Sequence, residues 1–144
     1  MDRALLLVSI GGELAALDSA VVRSVVELEA ITPVPCAPAH IAGLAALRSR
    51  AMTVVDCRRA LDLPDAEERG NVAAVVELDG FLYALLVDRV EEVVPLETDP
   101  GEIRADLLPG WARASLGMAE TTAGPVLLLD PARLIEGPPE RKAA

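Results

Sequence analysis

The residues best suited to chemistry in this 144-residue chain are two cysteines and one histidine. Cys36 and His40 lie four positions apart, a pair that can form a thiolate nucleophile, but no motif surrounds them in their proline-rich segment. Cys57 is predicted to be a small buried residue in a reducing compartment. A four-ligand zinc site would need carboxylates, which structural zinc sites rarely use. We therefore expect exposed or locally packed side chains at Cys36 and His40, and neither enzyme activity, metal nor cofactor.

Four aspartates recur before predicted helical turns or strand bends: Asp18, Asp56, Asp88 and Asp130. A pair of carboxylates is the arrangement that acid–base and glycosidic chemistry uses. Their recurrence at matching places in the two halves of the chain fits capping of backbone N–H groups far better. The sequence therefore predicts structural carboxylates.

Charge balance and a shortage of aromatic residues exclude whole classes of partner. The chain holds 23 acidic against 13 basic residues, with a formal net charge of −10 and 52% apolar residues. Its aromatic side chains are Phe81, Tyr83 and Trp111, too few for the stacking platforms that bind single-stranded nucleic acid. Phosphate backbones and anionic membranes also repel an acidic surface. We expect no nucleic-acid partner and no direct membrane insertion.

The apolar segments are too short or too interrupted to direct the chain into a membrane. The first run, residues 4–8, is shorter than the core of a signal peptide. The longest stretch without a formal charge, residues 31–47, contains three prolines that a membrane-spanning helix would not accommodate. These features predict a cytoplasmic protein.

Short apolar runs separated by turn signals predict a many-stranded β-protein. The first half should form strands at residues 4–10, 13–17, 25–31, 44–48 and 52–55, a helical turn at 18–22, and a short helix at 58–63 capped by Asp56. A polar loop at 64–71 precedes strands at 72–78, 81–87, 90–96 and 126–129. The dipeptides Gly11–Gly12 and Asp79–Gly80 predict two-residue hairpin turns, because glycine tolerates positive φ.

The same order of elements occurs twice, which indicates an internal repeat of roughly 70 residues. Gly43 and Asp56 are as far apart as Gly117 and Asp130, and each aspartate follows an apolar strand. One such unit buries too little surface alone, so it should pack against its copy. We expect one mainly all-β domain, residues 1–144, with two small barrels of about five strands at approximately 1–66 and 70–136. Residues 137–144 should be a frayed tail, and whether strands cross between the barrels stays open.

Several segments in this order resemble the CheW family. Residues 34–48 and 52–58 are similar to its signature, in which Ala/Thr-Pro-x-x-Ile-x-Gly leads to Asn-Leu-Arg-Gly and then to Val-Pro-Val-Ile-Asp-Leu-Arg. Residues 5–18 resemble the opening hairpin, 86–93 the family's Val-Val-Asp-x-Val-x-x-Val, and 126–134 the closing strand and helix. The ordered set covers nearly the whole chain.

This resemblance implies two five-stranded SH3-like β-barrels related by a pseudo-twofold, with short helices. It implies a non-catalytic adaptor that couples the cytoplasmic tips of methyl-accepting chemoreceptors to the regulatory domain of a CheA-type histidine kinase in chemotaxis signal transduction. Such an adaptor would be cytoplasmic and recruited to membrane-associated receptor arrays. The alternative is a divergent scaffold in a chemosensory-like pathway without a standard transmembrane receptor.

The resemblance also implies contact residues, each with a structural alternative. The implied receptor contacts are Val22, Ser24, Val87, Val90 and Val93, although β-branched residues in short strands are more often core. The implied kinase contacts are Ile41, Gly43 and Leu44, while Arg48 is either a partner contact or a structural ion pair. Arg58 and Arg59 are expected to form structural pairs.

Four positions depart from the family pattern. Ser24 stands where the family has glutamate, Ala46 where it has asparagine, Ser49 where it has glycine and Thr53 where it has proline. Loss of the glutamate removes a charge that could pair with a cation on the receptor. This departure motivates the alternative of a pathway without a standard receptor.

Overall fold

The computed structural model describes residues 3–66, 70–96, 99–103 and 106–139, and it places ten strands and three short helices there. The strands are β1 (Ala4–Ile10), β2 (Glu13–Asp18), β3 (Val22–Glu27), β4 (Ile41–Leu47), β5 (Arg50–Asp56), β6 (Val72–Leu78), β7 (Phe81–Leu86), β8 (Arg89–Pro95), β9 (Ser115–Thr121) and β10 (Gly124–Leu129). The helices are α1 (Cys57–Ala60), α2 (Pro109–Ala114) and α3 (Pro131–Glu136). The predicted β class is confirmed.

The strands form two five-stranded sheets, and each sheet takes strands from both halves of the chain. Sheet A has the order β8-β1-β2-β10-β9, and sheet B has the order β3-β6-β7-β5-β4. Residues 1–66 and 70–136 are therefore units of the sequence, and strands of the two units are exchanged between the sheets, which is the point that the sequence left open. Pairings among the described residues leave both sheets open, with β8 and β9 at the edges of one and β3 and β4 at the edges of the other.

The two sheets have the same strand order once each strand is matched to its copy. Strands β1 and β6 start at positions 4 and 72, and β2 and β7 start at 13 and 81, so both pairs share one interval along the chain. A slightly longer interval relates β4 to β9, which start at positions 41 and 115. The same longer interval relates β5 to β10, which start at 50 and 124. The extra residues fall between β8 and β9, the part of the chain that contains α2.

Two local predictions agree closely with the structure. Strands β1 and β6 have their predicted bounds, and the two hairpin turns lie where glycine was expected. Gly11 and Gly12 have φ of 62° and 85°, and Asp79 and Gly80 have φ of 51° and 84°. Positive φ at both central residues is the turn geometry that matches the twist of the flanking strands.

Several local predictions differ from the structure. Strand β3 begins at Val22 rather than at residue 25 and ends at Glu27, because pairing with β6 starts at Val76 and includes a bulge at Arg23. The expected helical turn at 18–22 is a non-helical turn in which Asp18 Oδ1 accepts a hydrogen bond from Ala20 N at 3.0 Å. Helix α1 is shorter than predicted, and α2 was not predicted at all.

Some expectations fall partly on undescribed residues. In the expected loop at 64–71, residues 67–69 lie outside the described part of the chain, and in the expected frayed tail residues 140–144 do. The described loop residues 64–66, 70 and 71 form no strand or helix.

Three apolar clusters hold the sheets together. Alternate residues of β1 point to opposite faces of sheet A. Leu5 and Leu7 pack into an apolar cluster formed within sheet A, whereas Leu6 and Val8 pack into a cluster that both sheets share. Strand β6 does the same in sheet B. Burial on both faces explains why these two strands read as continuous apolar runs.

The cluster shared by both sheets is called the central core here. It combines residues of β1, β2, β5, β6 and β7 with residues from all three helices, among them Trp111 and Leu134. Because it joins strands of both sheets, the two sheets cannot separate without exposing it to water. The relative placement of the sheet edges is therefore fixed by apolar packing.

Candidate protein-interaction site

The cysteines and the histidine do not form a nucleophile. Cys57 is fully buried, and that burial strongly raises the pKa of its thiol, with the neighbouring Asp56 and Asp88 charges adding to the effect. Cys36 is exposed. His40 is 4% exposed, and its Nε2 lies 2.8 Å from the carbonyl oxygen of Ile135. His40 thus fastens the end of α3, which is the locally packed role expected for it.

Helix capping is confirmed for two of the four aspartates. Asp56 accepts from the backbone N–H groups of Arg58 and Arg59 at the start of α1, and Asp130 accepts from Ala132 N at the start of α3. Pro131 occupies the first position of α3, where its missing N–H costs nothing. Asp18 caps a turn instead of a helix.

Asp88 has a different role from the one predicted, because it ties the two sheets together. Its carboxylate receives two hydrogen bonds from Arg58, with Nε–Oδ1 at 2.8 Å and Nη2–Oδ2 at 2.6 Å, and a third from Gly11 N at 2.8 Å. Its own backbone N–H donates to Ser9 O at 2.9 Å. The Arg58 hydrogen bonds, more than the one from Gly11, lower the pKa of Asp88 against the opposing effect of burial.

The predicted structural pairing of Arg58 and Arg59 is confirmed. Arg59 binds Asp65 through both carboxylate oxygens, each at 2.9 Å. Arg48 is exposed in the turn between β4 and β5, with a φ of 51°. Within the part of the chain that the structure describes, Arg48 forms no ion pair.

The five implied receptor-contact residues differ greatly in exposure. Val22 and Val90 are partly buried against the central core, and Val87 retains only 4% of its surface. Ser24 is partly buried opposite Val75. Val93 is 62% exposed on β8. Val93 can therefore contact a partner with most of its side chain, whereas Val87 contributes to the core.

The repeat identifies one further residue, Val25, which inspection of the sequence missed. Val90 pairs with Val8 and Val93 with Leu6, while Val22 pairs with Val76 and Val25 with Ala74, with a bulge inside each span. The interval between β1 and β6 relates Val8 to Val76 and Leu6 to Ala74. Because Val93 pairs with Leu6 and Val25 pairs with Ala74, Val25 occupies in the first half the position that Val93 occupies in the second. Val25 is 43% exposed, and the constant interval of the repeat was the signal that could have found it.

The implied kinase-contact residues lie on β4, and one of them is structural. Ile41 packs against the central core, and Leu44 is 42% exposed. Leu44 also exchanges two backbone hydrogen bonds with Thr32, both at 2.8 Å. Gly43 is buried beneath this bridge with a φ of 149°, and a Cβ there would lie 2.2 Å from the Thr32 carbonyl oxygen.

A groove of about 370 Å³ lies where the edges of sheet B fail to meet, between the end of β3 and β4. Val26 and Leu28 line one side, Ala45 and Ala46 line the other, and Arg48 lies at the margin. Among the described residues, no group of three His, Cys, Asp or Glu side chains is arranged to hold a metal ion. No described helix has the length and apolarity needed to cross a bilayer.

These observations define a class of protein in which two interleaved five-stranded sheets share one core and leave strand edges exposed. The chain matches the CheW-like domain over residues 4–138 and belongs to that family. It is similar to the scaffolding protein TtCheW from Thermoanaerobacter tengcongensis, with a TM-score of 0.82, 25% identity and coverage of 94% of each chain.

A curated relative gives the same family. The chain is 22% identical over 106 residues to the chemotaxis protein CheW of Treponema pallidum (strain Nichols). The match covers 70% of this chain and 62% of the length of that protein.

Proposed function

We propose that this protein is a non-catalytic scaffold of chemotaxis signalling that couples chemoreceptor tips to the regulatory domain of a CheA-type histidine kinase. The observation that carries the proposal is the pair of exposed valines, Val25 and Val93, at copied positions beside the central core. No side-chain N or O atom among the described residues is buried without a partner. The buried polar side-chain atoms of the described residues thus all have partners within the fold. We infer that the exposed apolar strand edges contact other proteins.

The receptor-binding surface is proposed to lie along β3 and β8. Val93 and Val25 would supply most of the apolar contact. Ser24, Val22 and Val90 would lie at the margin of the central core. Val87, which is buried in that core, would support the segment between β7 and β8. A helical hairpin docks on such a surface through apolar anchors spaced along one face. Each valine that becomes fully buried contributes roughly 1.5–3 kcal/mol.

The kinase-binding surface is proposed to lie on β4. Leu44 supplies the exposed apolar side chain, Ile41 anchors the strand to the core, and Gly43 permits the close approach of Thr32. Arg48 has an exposed side chain at the end of the same strand, where its guanidinium can pair with a carboxylate of the partner. Scaffolds of this kind act in the cytoplasm at membrane-associated receptor arrays.

The proposal is tested by measuring binding to the kinase regulatory domain and the receptor tip encoded in the same organism. Val93→Ala should weaken receptor binding about tenfold without altering kinase binding, because two methylenes of burial are worth about 1.6 kcal/mol. Val34→Ala, which truncates a valine that is 40% exposed elsewhere, is the matched control. Leu44→Ala should weaken only kinase binding, with Leu116→Ala as its control.

Two results would refute the coupling role. One is the absence of binding to both partners by the wild-type protein. The other is equal loss of receptor binding in Val93→Ala and Val34→Ala, because the effect would then not depend on the proposed surface.

One observation favours a second function on the same fold. Ser24 stands on β3 where the family carries glutamate, so a receptor cation at that point lacks its partner. The protein would then serve a divergent chemosensory-like pathway without a standard transmembrane receptor. Recovery of binding to a standard receptor by Ser24→Glu would support this alternative, and tight binding by the wild type would remove it.

A further inference from the structure

The start of β4 has few contacts within its own sheet. Among the described residues, β4 lies at an edge of sheet B and has β5 as its single strand neighbour. A register shift between Ile41 and Gly43 interrupts the pairing with β5 at the first residues of the strand. The bridge to Thr32 joins β4 only further along, at Leu44. Because a bulged strand edge has fewer ladder hydrogen bonds, the position of Ile41 depends on the turn that precedes it.

Two hydrogen bonds join the turn at residues 38–41 to the start of α1. The backbone N–H of Asp56 donates to His40 O at 2.7 Å. The guanidinium of Arg59 donates from Nη1 to Ala39 O at 3.2 Å. Both donors belong to the first half of the chain, so these contacts do not connect the turn to the second half.

The side chain of His40 reaches the second half of the chain. Its Nε2 lies 2.8 Å from Ile135 O, near the end of α3. Because a carbonyl oxygen only accepts, Nε2 carries a proton and donates it to this hydrogen bond. The imidazole also packs against Gly137, where a Cβ would overlap the ring. A helix leaves its last carbonyls without internal partners, so His40 supplies α3 with a donor from the turn before β4.

The second half has a matching contact in the opposite direction. Arg113 of α2 donates from Nη2 to the carbonyl oxygen of Ala60, the last residue of α1, at 2.9 Å. The interval that relates β5 to β10 also relates α1 to α3, and it relates His40 to Ala114, the residue after Arg113. Each half of the chain therefore caps a helix end of the other half, although the two side chains are not copies of one another.

We propose that His40 is a positioning residue for β4, and that its hydrogen bond to α3 holds the proposed kinase-binding strand in place from the second half of the chain. His40 directly precedes Ile41, so the hydrogen bond acts on the first residue of the strand through a single peptide unit. Arg113 and Ala114 lead into β9 instead. This inference deepens the proposed coupling role, and it rests on that role only for the effect on kinase binding.

Amide hydrogen exchange of the free, full chain tests the positioning directly. His40→Phe keeps an aromatic ring beside Gly137 but lacks the donor to Ile135 O. Exchange of the Ile41 and Asp56 amides should therefore become about tenfold faster. His40→Gln, whose side-chain amide can donate to the same carbonyl, should return both rates to within about twofold of the wild type.

Arg113→Met is the matched control, because it removes the opposite contact and keeps an apolar stem. The Asp130 amide donates to Ala114 O at 2.8 Å, as the Asp56 amide donates to His40 O. Arg113→Met should speed exchange of the Asp130 amide and leave that of Asp56 within about twofold. His40→Phe should show the reverse.

The functional readout is affinity for the kinase regulatory domain encoded in the same organism. His40→Phe should weaken this binding about fivefold, because the start of β4 must then be ordered when the partner binds. His40→Gln should restore the affinity, and Arg113→Met should leave it within about twofold of the wild type. Receptor binding should not change in any of the three variants.

Three results would overturn the proposal. The first is equal acceleration of the Asp56 and Asp130 amides in His40→Phe, which would indicate a general loss of stability. The second is unchanged exchange at Ile41 in the same variant. The third is equal loss of kinase binding in His40→Phe and Arg113→Met. If the wild type does not bind the kinase domain, the coupling role fails, whereas exchange in the free chain still decides whether His40 positions β4.

Discussion

The chain passes from one sheet to the other at two places that correspond in the repeat, and different polar contacts stabilise the two crossings. From β2 to β3, Asp18 accepts from Ala20 N in its own turn and, at 2.9 Å, from Nη2 of Arg3, which precedes the neighbouring strand β1. From β7 to β8, Asp88 binds Arg58 after β5 and Gly11 in the β1–β2 turn. The first set of contacts is local, whereas the second joins segments of both sheets.

This difference shows that the repeat preserves the path of the backbone and not the side chains that fasten it. By the interval between β1 and β6, Asp88 corresponds to Ala20, and by the interval between β5 and β10, Arg58 corresponds to Ala132. The ion pair between Asp88 and Arg58 therefore has no counterpart at the crossing from β2 to β3. Buried apolar strands are common to both halves and support the shared path, whereas the polar contacts at the two sheet crossings differ.

The buried glycines of the two edge strands should show the largest loss of stability. Gly43→Ala places a Cβ 2.2 Å from the Thr32 carbonyl oxygen at a φ of 149°, so strain and overpacking together should cost about 4 kcal/mol. Gly117→Ala meets the Gly101 carbonyl oxygen at 2.8 Å without a positive φ, and it should cost about 2 kcal/mol. Urea unfolding measures both. Equal costs would show that the two bridges are alike.

The crossing aspartates should differ next. Asp88→Ala removes three hydrogen bonds from Arg58 and Gly11, and should cost about 3 kcal/mol because Arg58 loses its carboxylate partner. Asp18→Ala should cost about 1 kcal/mol, since Arg3 is half exposed and the remaining contact is a turn cap. Free energies of unfolding from denaturant titration provide the comparison. A larger loss for Asp18→Ala would contradict the ranking.

The pH dependence of stability should separate the same two residues. The pKa values of Asp18 and Asp88 are both lowered, Asp18 chiefly by the Ala20 N–H and Asp88 chiefly by Arg58. A carboxyl whose pKa is lower in the folded state stabilises the fold above its unfolded pKa of about 3.9, and this contribution disappears as the pH falls through the folded pKa. Asp88→Asn should therefore flatten the loss of stability below about pH 5. If Asp88→Asn lost stability below about pH 5 as steeply as the wild type does, the role of Arg58 would be contradicted.

The exposed valines should show the smallest effect on stability. Val25→Ala and Val93→Ala remove side chains that are 43% and 62% exposed, so each should change the free energy of unfolding by less than about 0.5 kcal/mol. The same variants should weaken partner binding. A large loss of stability in either would mean that its valine is part of the core.

Local signals in the sequence predicted the parts of the fold that local forces determine. Apolar runs and hairpin glycines located β1, β6 and both tight turns, and Asp56 and Asp130 were recognised as caps. The start of β3 was wrong because its pairing with β6 includes a bulge, which depends on a strand from the other half of the chain. The exchange of strands between sheets is non-local in the same way and had no local signal.

The candidate site was harder to predict because exposure depends on the neighbouring sheet. Val87 and Val93 look alike in sequence, yet one is 4% and the other 62% exposed. Val25 was missed although the repeat places it opposite Ala74 as Val93 lies opposite Leu6. The prediction of a cap at Asp88 was wrong because its partners, Gly11 and Arg58, are distant in the sequence.

The coupling role is tested most directly by asking whether one copy of the protein holds both partners at once. Sedimentation of the full chain with the kinase regulatory domain and the receptor tip should give a single complex that contains all three components. The proposal places the receptor along β3 and β8 and the kinase on β4, so saturation with one partner should leave binding of the other intact. Competition between the two partners, or binding of neither, would contradict the coupling role.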